Sequence, residues 1–87
     1  MGTKVDSVTK LINEPVQVHN SGMSPDTFIW RKRHYRILEV INRWRQPALW
    51  DNNAVYSFLR VNAANSSTGT YELCQIGEDW FLHRVVD

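Results

Sequence analysis

Hydrophobic and polar residues alternate along most of this chain with the period of two that marks a strand buried on one face. After Pro15, Val16 and Val18 alternate with Gln17 and His19 and predict a first strand over 15–19. Residues 20–26, with Gly22 and Pro25, have loop composition. Thr27 to Arg31 predicts a second strand, which turns at Arg31-Lys32-Arg33-His34 into a long third strand over 34–44. That third strand is apolar on both parities, with Tyr35, Ile37 and Ile41 on one and Leu38, Val40 and Trp44 on the other. Two-sided apolarity calls for a central strand, or for a bulge that switches faces partway. A helix over 36–45 is the rival, because Ile37, Val40, Ile41 and Trp44 also fit helical spacing. β-Branching and the preceding hairpin favour the strand. A loop over 46–53 follows, then strands over 54–63, 70–76 and 80–86 separated by turns at 65–69 and 77–79. On the last strand, Trp80 and Leu82 fall on one face and Phe81, His83 and Val85 on the other.

The start of the chain is different. Val5, Val8, Leu11 and Ile12 recur at near-helical spacing, with Asp6 or Ser7 as a cap, so residues 1–13 read as a short helix or a frayed tail ended by Pro15. Residues 14–87 then form a single β domain. The expected fold is all-β: a small antiparallel barrel or strongly curled sheet of about six strands, with at most a short N-terminal helix.

Composition narrows the class. Eighty-seven residues bury only a modest core, and a 43% hydrophobic content is that of an ordinary globule rather than a disordered chain. The single cysteine, Cys74, excludes an intramolecular disulfide and fits a reducing compartment, so a cytoplasmic location is expected. No apolar run reaches the length of a membrane span, and no membrane partner is expected.

Net charge is only +1, but it is unevenly spread. Between 27 and 46 the chain carries Arg31, Lys32, Arg33, Arg36, Arg43 and Arg45 against one carboxylate, Glu39. Trp30, Tyr35 and Trp44 are interleaved with these cations. Cations among aromatic rings suit a polyanion with stackable bases. On that reading Trp30, Arg31, Lys32, Arg33, Tyr35 and Arg36 form a nucleic-acid-binding hairpin, with arginines on phosphates and rings on bases. The competing reading is a solvated turn whose aromatics point into the core.

From Phe28 onward the chain resembles a family of small uncharacterised bacterial proteins, a domain of unknown function. The resemblance rests on Phe28, Trp30, Arg31, Arg33, Tyr35, Ile37, Glu39 and Val40; then Trp44; then Arg60, Val61 and Ala63; then Gly69, Tyr71 and Leu73; and finally Trp80, Leu82, Arg84 and Asp87. Some members of that family occur with translesion-type DNA polymerases, so the resemblance implies a DNA-transaction context and no particular activity. Lys32 stands where the family often has glycine. A two-residue hairpin turn wants positive φ there, which lysine resists, so a longer loop is the alternative.

Other candidates are weaker. Glu39 on a strand would need a cation, and Arg60 or Arg84 is the expected partner; Arg84 with Asp87 is the local alternative. His19, His34 and His83 lie on separate strands without metal-ligand spacing, and Cys74 reads as a small hydrophobe near the core. No paired carboxylates, activated nucleophile or glycine-rich phosphate loop appears, so neither enzyme activity nor a cofactor or metal is expected. The Leu49-Trp50 loop is a second surface, either a protein-docking anchor or a flap over one barrel end. The sequence thus points to a non-enzymatic binding module. Its partner would be nucleic acid or a DNA-transaction protein; the alternative is a protein-interaction module docking through an edge strand or Trp50. An unpaired edge strand would also allow a homodimer.

Overall fold

A computed structural model describes residues 9–22, 24–47 and 54–86. Six strands run in order around one closed antiparallel barrel: β1 (Thr9–Ser21), β2 (Ser24–Trp30), β3 (Arg33–Pro47), β4 (Val55–Ala64), β5 (Thr68–Ile76) and β6 (Asp79–Val86). Each strand pairs with the next, and β6 returns to β1, so every strand has a neighbour on both sides along at least part of its length.

The first strand is longer than its alternation suggested. Thr9 to Asn13 belong to it, so Pro15 lies inside β1 and does not end an element. The first part of β1 pairs with β6 and the second with β2, whose ladder begins at Gln17 opposite Ile29. Pro15 precedes that ladder, so β2 asks no backbone bond of it. Residues 36–45, the rival helix, are strand throughout. The N-terminal helix expectation falls partly on residues 1–8, outside the described residues.

Strand β3 solves its two-sided apolarity with two bulges. Its register against β4 shifts between Ile37 and Glu39 and again between Val40 and Asn42, leaving Leu38 and Ile41 without opposite numbers. Directly opposed residues share a face. Ile37, Val40 and Arg43 therefore lie inward with Ala63, Val61 and Leu59, while Glu39, Asn42 and Trp44 lie outward with Asn62, Arg60 and Phe58. Each bulge restores the inward face to an apolar residue and adds coil to the strand. Leu38 and Ile41 remain about half exposed.

A third bulge corrects β6. Glu72 stands opposite Arg84 but Leu73 opposite Leu82, so His83 is the extra residue. Val85 consequently faces the core with Tyr71, not outward with Phe81 and His83 as strict alternation implied.

Phe28, Leu59, Val61, Ala63, Leu73 and Leu82 fill the interior, joined by Tyr35. The ring of Phe28 stacks on Tyr35 at 4.9 Å between centroids, and Tyr71 meets both edge-on. Gly69 is required beside this trio: a Cβ there would lie 3.0 Å from the Tyr71 hydroxyl. The G-x-Y pairing on β5 is thus a steric fit, the Tyr71 ring covering the bare α-carbon two residues before it.

The β2–β3 turn has two residues, not more. Arg31 (φ 52°) and Lys32 (φ 66°) both adopt the left-handed conformation that a primed hairpin turn demands. Neither is glycine, so the turn carries strain that the flanking pairs Trp30–Arg33 and Ile29–His34 must hold. Lys32→Gly should raise the free energy of unfolding by about 0.5–1 kcal/mol, the relieved strain less the extra chain entropy of glycine. Urea denaturation measures it; a lower midpoint for the variant would contradict the strained turn.

Candidate binding surface

The predicted hairpin site is divided by the fold. Trp30 is partly buried, packed on the core, and its Nε1–H donates to Glu14 Oε1 at 2.9 Å. Tyr35 is buried in the aromatic trio. The Tyr35 ring is enclosed by Phe28, Trp30 and Tyr71. Arg31 lies over the Trp30 ring, with Cζ 4.6 Å from its centroid, and donates through Nε and Nη2 to the two oxygens of Glu14, at 2.9 and 2.6 Å. Lys32, Arg33 and Arg36 are exposed, but Arg36 faces outward opposite Ala64 and Arg33 continues the opposite parity with Tyr35. The six residues do not share one face.

Aromatic rings instead collect on the outside of the barrel, where alternation would place polar groups. Trp44 of β3 stacks on Phe58 of β4 at 5.2 Å and 11° between ring planes. Tyr56 tilts against Phe58 at 6.0 Å, and His83 of β6 meets Phe58 edge-on at 5.2 Å. Phe58 is 8% exposed, so it is the base of the stack, while Trp44 and Tyr56 are half-buried above it. Tyr56, Phe58, Phe81 and His83 wall an outward trough of about 530 Å³, lined also by Gln46 and Pro47. A volume of this order accepts one planar ring system.

An ion cluster adjoins the stack. Glu72, 3% exposed, takes a hydrogen bond from Arg60 Nε at 3.0 Å and a second contact from Arg60 Nη2. Arg84 Nε stands 3.4 Å from the other Glu72 oxygen, near enough for charge attraction but without hydrogen-bond geometry. Two cations on one carboxylate leave a positive surplus. Arg60 reaches over Trp44, its Cζ 5.9 Å from the ring centroid, which ties the surplus to the aromatic face. The partner of Arg60 and Arg84 is therefore Glu72, whereas the expected acid, Glu39, is exposed and accepts from Asn62 Nδ2 at 3.3 Å.

His83 and Cys74 behave as structural groups. His83 Nδ1–H donates to Asn13 Oδ1 at 2.8 Å, and its Nε2 is 3.3 Å from Arg84 Nη2, which donates to it. Burial, then the Arg84 charge, lowers the His83 pKa and keeps the ring neutral. Burial pushes the Cys74 thiol up to about 11, too high for a thiolate nucleophile at neutral pH. Asn13, with φ 54°, occupies the β1 bulge that brings it to His83. Among the described residues no group of three His, Cys, Asp or Glu side chains could hold a metal. Trp50 and Leu49 lie outside the described residues, as does Asp87.

The stack was not singled out from sequence, although the signal was there. Tyr56 and Phe58 share a parity opposed to the core residues Leu59, Val61 and Ala63. Large aromatics on the polar parity of a strand are the mark of an outward platform.

A small closed antiparallel barrel defines a fold class, not a chemistry. The chain belongs to the DUF6504 family, a domain of unknown function, whose family model matches residues 3–87. No curated protein and no solved structure matches it.

Two predictions follow from the ion pairs. Arg60→Met with Arg84→Met leaves Glu72 buried and unpaired and should cost about 3–5 kcal/mol of stability, most of it recovered when Glu72→Met is added. Chemical denaturation of the double and triple variants reads this; a triple variant no more stable than the double would refute it. For Glu14, the hydrogen bonds from Arg31 and then Trp30 lower the carboxyl to about 2 from an ordinary 4.5. A depressed folded pKa contributes stability above 4.5 that is lost as pH falls toward 2. Glu14→Gln should therefore flatten the stability profile across that window, and equal acid slopes in both proteins would rule out the pairing as its source.

Proposed function

We propose that this protein is a non-enzymatic module that binds single-stranded nucleic acid on the outer face of β3–β6, without sequence preference and with strong dependence on salt. The observation that carries the reading is the Trp44–Phe58 stack on the solvent side of the barrel, with Arg60 over the indole. Stacking on aromatic rings is tolerant of sequence because every base has a π face, and neighbouring guanidiniums meet the phosphates. The reading keeps the expected ligand and moves its site from the hairpin tip to the barrel wall. Lys32, Arg33 and Arg36 would then attract the strand from a distance.

A second reading has its own observation. Among the described residues β3 beyond Arg36 pairs with β4 alone, so its other edge offers backbone groups to a partner beside the exposed Leu38 and Ile41. A partner strand adding to that edge would make the domain a protein-interaction module.

Fluorescence anisotropy with a labelled oligothymidylate separates the two. The proposal expects binding at low salt that weakens as salt rises, with a log–log slope of about −2, as for roughly three phosphate contacts. Trp44→Ala should weaken binding about tenfold, the loss of one stacked base, while Trp44→Phe retains most of it. Binding absent at low salt, or indifferent to Trp44→Ala, would overturn the proposal and favour the edge.

A further inference from the structure

The barrel is closed in its strand order but not sealed along its length. Strand β2 pairs with β3 only from Thr27 to Trp30. Before that stretch β2 stays with β1, Pro25 opposite Asn20, while β3 after Arg36 follows β4. β2 and β3 part there, and this seam runs into a cleft of about 440 Å³ at that end of the barrel, lined by residues of all six strands.

The chemistry of this seam is unlike the rest of the interior. Arg43 and Arg45 lie on the inward parity of β3, opposite Leu59 and Ser57. Inward positions elsewhere on the barrel carry the apolar core. Both arginines line the cleft with Asn20, Ser57 and Gln75, and the indole of Trp80 lines it as well. Every polar side chain in that set can donate a hydrogen bond, and among the described residues no carboxylate lines the cleft. Arg31, Arg60 and Arg84 each have a carboxylate partner, whereas Arg43 and Arg45 have none among the described residues. Two exposed guanidiniums lining one cleft, with no carboxylate partner among the described residues, form a site for an anion from outside.

The shape limits which anion. Leu59, 5% exposed, belongs to the core and also lines the cleft, so the seam ends blindly on packed side chains. An uninterrupted strand cannot thread a blind cleft, but a chain end or a single nucleotide can enter it. Trp44 lines the same cleft and carries the outer stack. A phosphate held by Arg43 and Arg45 would leave its own base beside Trp44.

We infer that the seam is a site for a terminal phosphate monoester, held as a dianion by Arg43 and Arg45, with the attached nucleoside against Trp44. For a strand end the inference rests on the proposed strand-binding face; for a free nucleotide it does not.

The test uses the full chain, isotope-labelled, and four probes: an oligothymidylate with and without a 5′-phosphate, thymidine monophosphate, and inorganic phosphate. The 5′-phosphate should tighten oligonucleotide binding about tenfold, and Arg43→Gln with Arg45→Gln should abolish that advantage while the unphosphorylated strand loses no more than about threefold. Shifts of the Arg43 and Arg45 side-chain N–H signals should accompany it. The variant's unchanged amide spectrum away from the seam checks that it folds. Equal affinity with and without the 5′-phosphate, and no response to thymidine monophosphate, would overturn the inference while leaving the strand-binding face intact. Thymidine monophosphate bound at Arg43 and Arg45 with no oligonucleotide bound would support the seam and overturn the strand-binding face. Inorganic phosphate matching thymidine monophosphate would overturn the nucleoside contact at Trp44.

Discussion

Closure of this barrel depends on β3 turning sharply enough to serve two neighbours. Its first residues complete the hairpin with β2, and its remaining length forms the long ladder with β4. A strand that kept strict alternation from Tyr35 to Arg45 would remain too flat to leave one partner for the other. Two bulges three residues apart supply the bend, since each adds a residue and local right-handed twist. The pair of insertions also cancels in parity. Tyr35 and Ile37 face inward before the bulges, Val40 between them, and Arg43 and Arg45 after them. The bulges therefore put Val40 inward in place of Glu39 and Ile41, while Arg43, Arg45 and Trp44 keep the faces that strict alternation would give them.

The outward aromatics are held as firmly as the core. Phe58 is nearly buried although it faces away from the interior, because Trp44, Tyr56 and His83 surround it. Beside it, Glu72 is buried with its charge neutralised by Arg60 and Arg84. A carboxylate in that position is costly unless its cations stay in place, so it fixes two arginine side chains that would otherwise move freely. Arg60 thereby reaches Trp44 from a fixed position. A surface whose rings and guanidiniums are already ordered loses little entropy on binding, which favours a recognition role over a merely solvated wall.

Much of the fold was legible in the chain because its cues are local. The turns at Gly77 and Asn65–Gly69, the alternation on β4 and β5, and the two-sided apolarity of β3 all lead to a six-strand antiparallel barrel. What alternation could not supply was register. His83 is an unpaired residue in β6, which places Val85 inward, and nothing in the run Trp80 to Val86 marks it. The candidate site suffered more, because charge density along a sequence is not charge density in space. Glu14, some way upstream, reaches Arg31 and Trp30 only because β1 runs beside the hairpin tip. Glu72 was passed over for Glu39 since both lie on strands, and only the β4–β5–β6 register sets Glu72 between Arg60 and Arg84.

The basic run from Arg31 to Arg45 is thus three separate groups once folded. Arg31 is committed to Glu14 and braces a strained turn. Lys32, Arg33 and Arg36 stand in solvent, where screening leaves them a long-range pull and little contact energy. Arg43 and Arg45 line one cleft together, with donor groups and the rings of Trp44 and Trp80 beside them. Exposure does not rank them, since Lys32, Arg33, Arg36, Arg43 and Arg45 are all exposed. Register does: Arg43 and Arg45 stand opposite Leu59 and Ser57, on the parity that carries the apolar core further along β3. Two guanidiniums there take places where apolar residues would extend the core of a small barrel. A fold of this size has little stability to spare, so residues that forgo burial at those positions are the ones whose presence asks for a ligand.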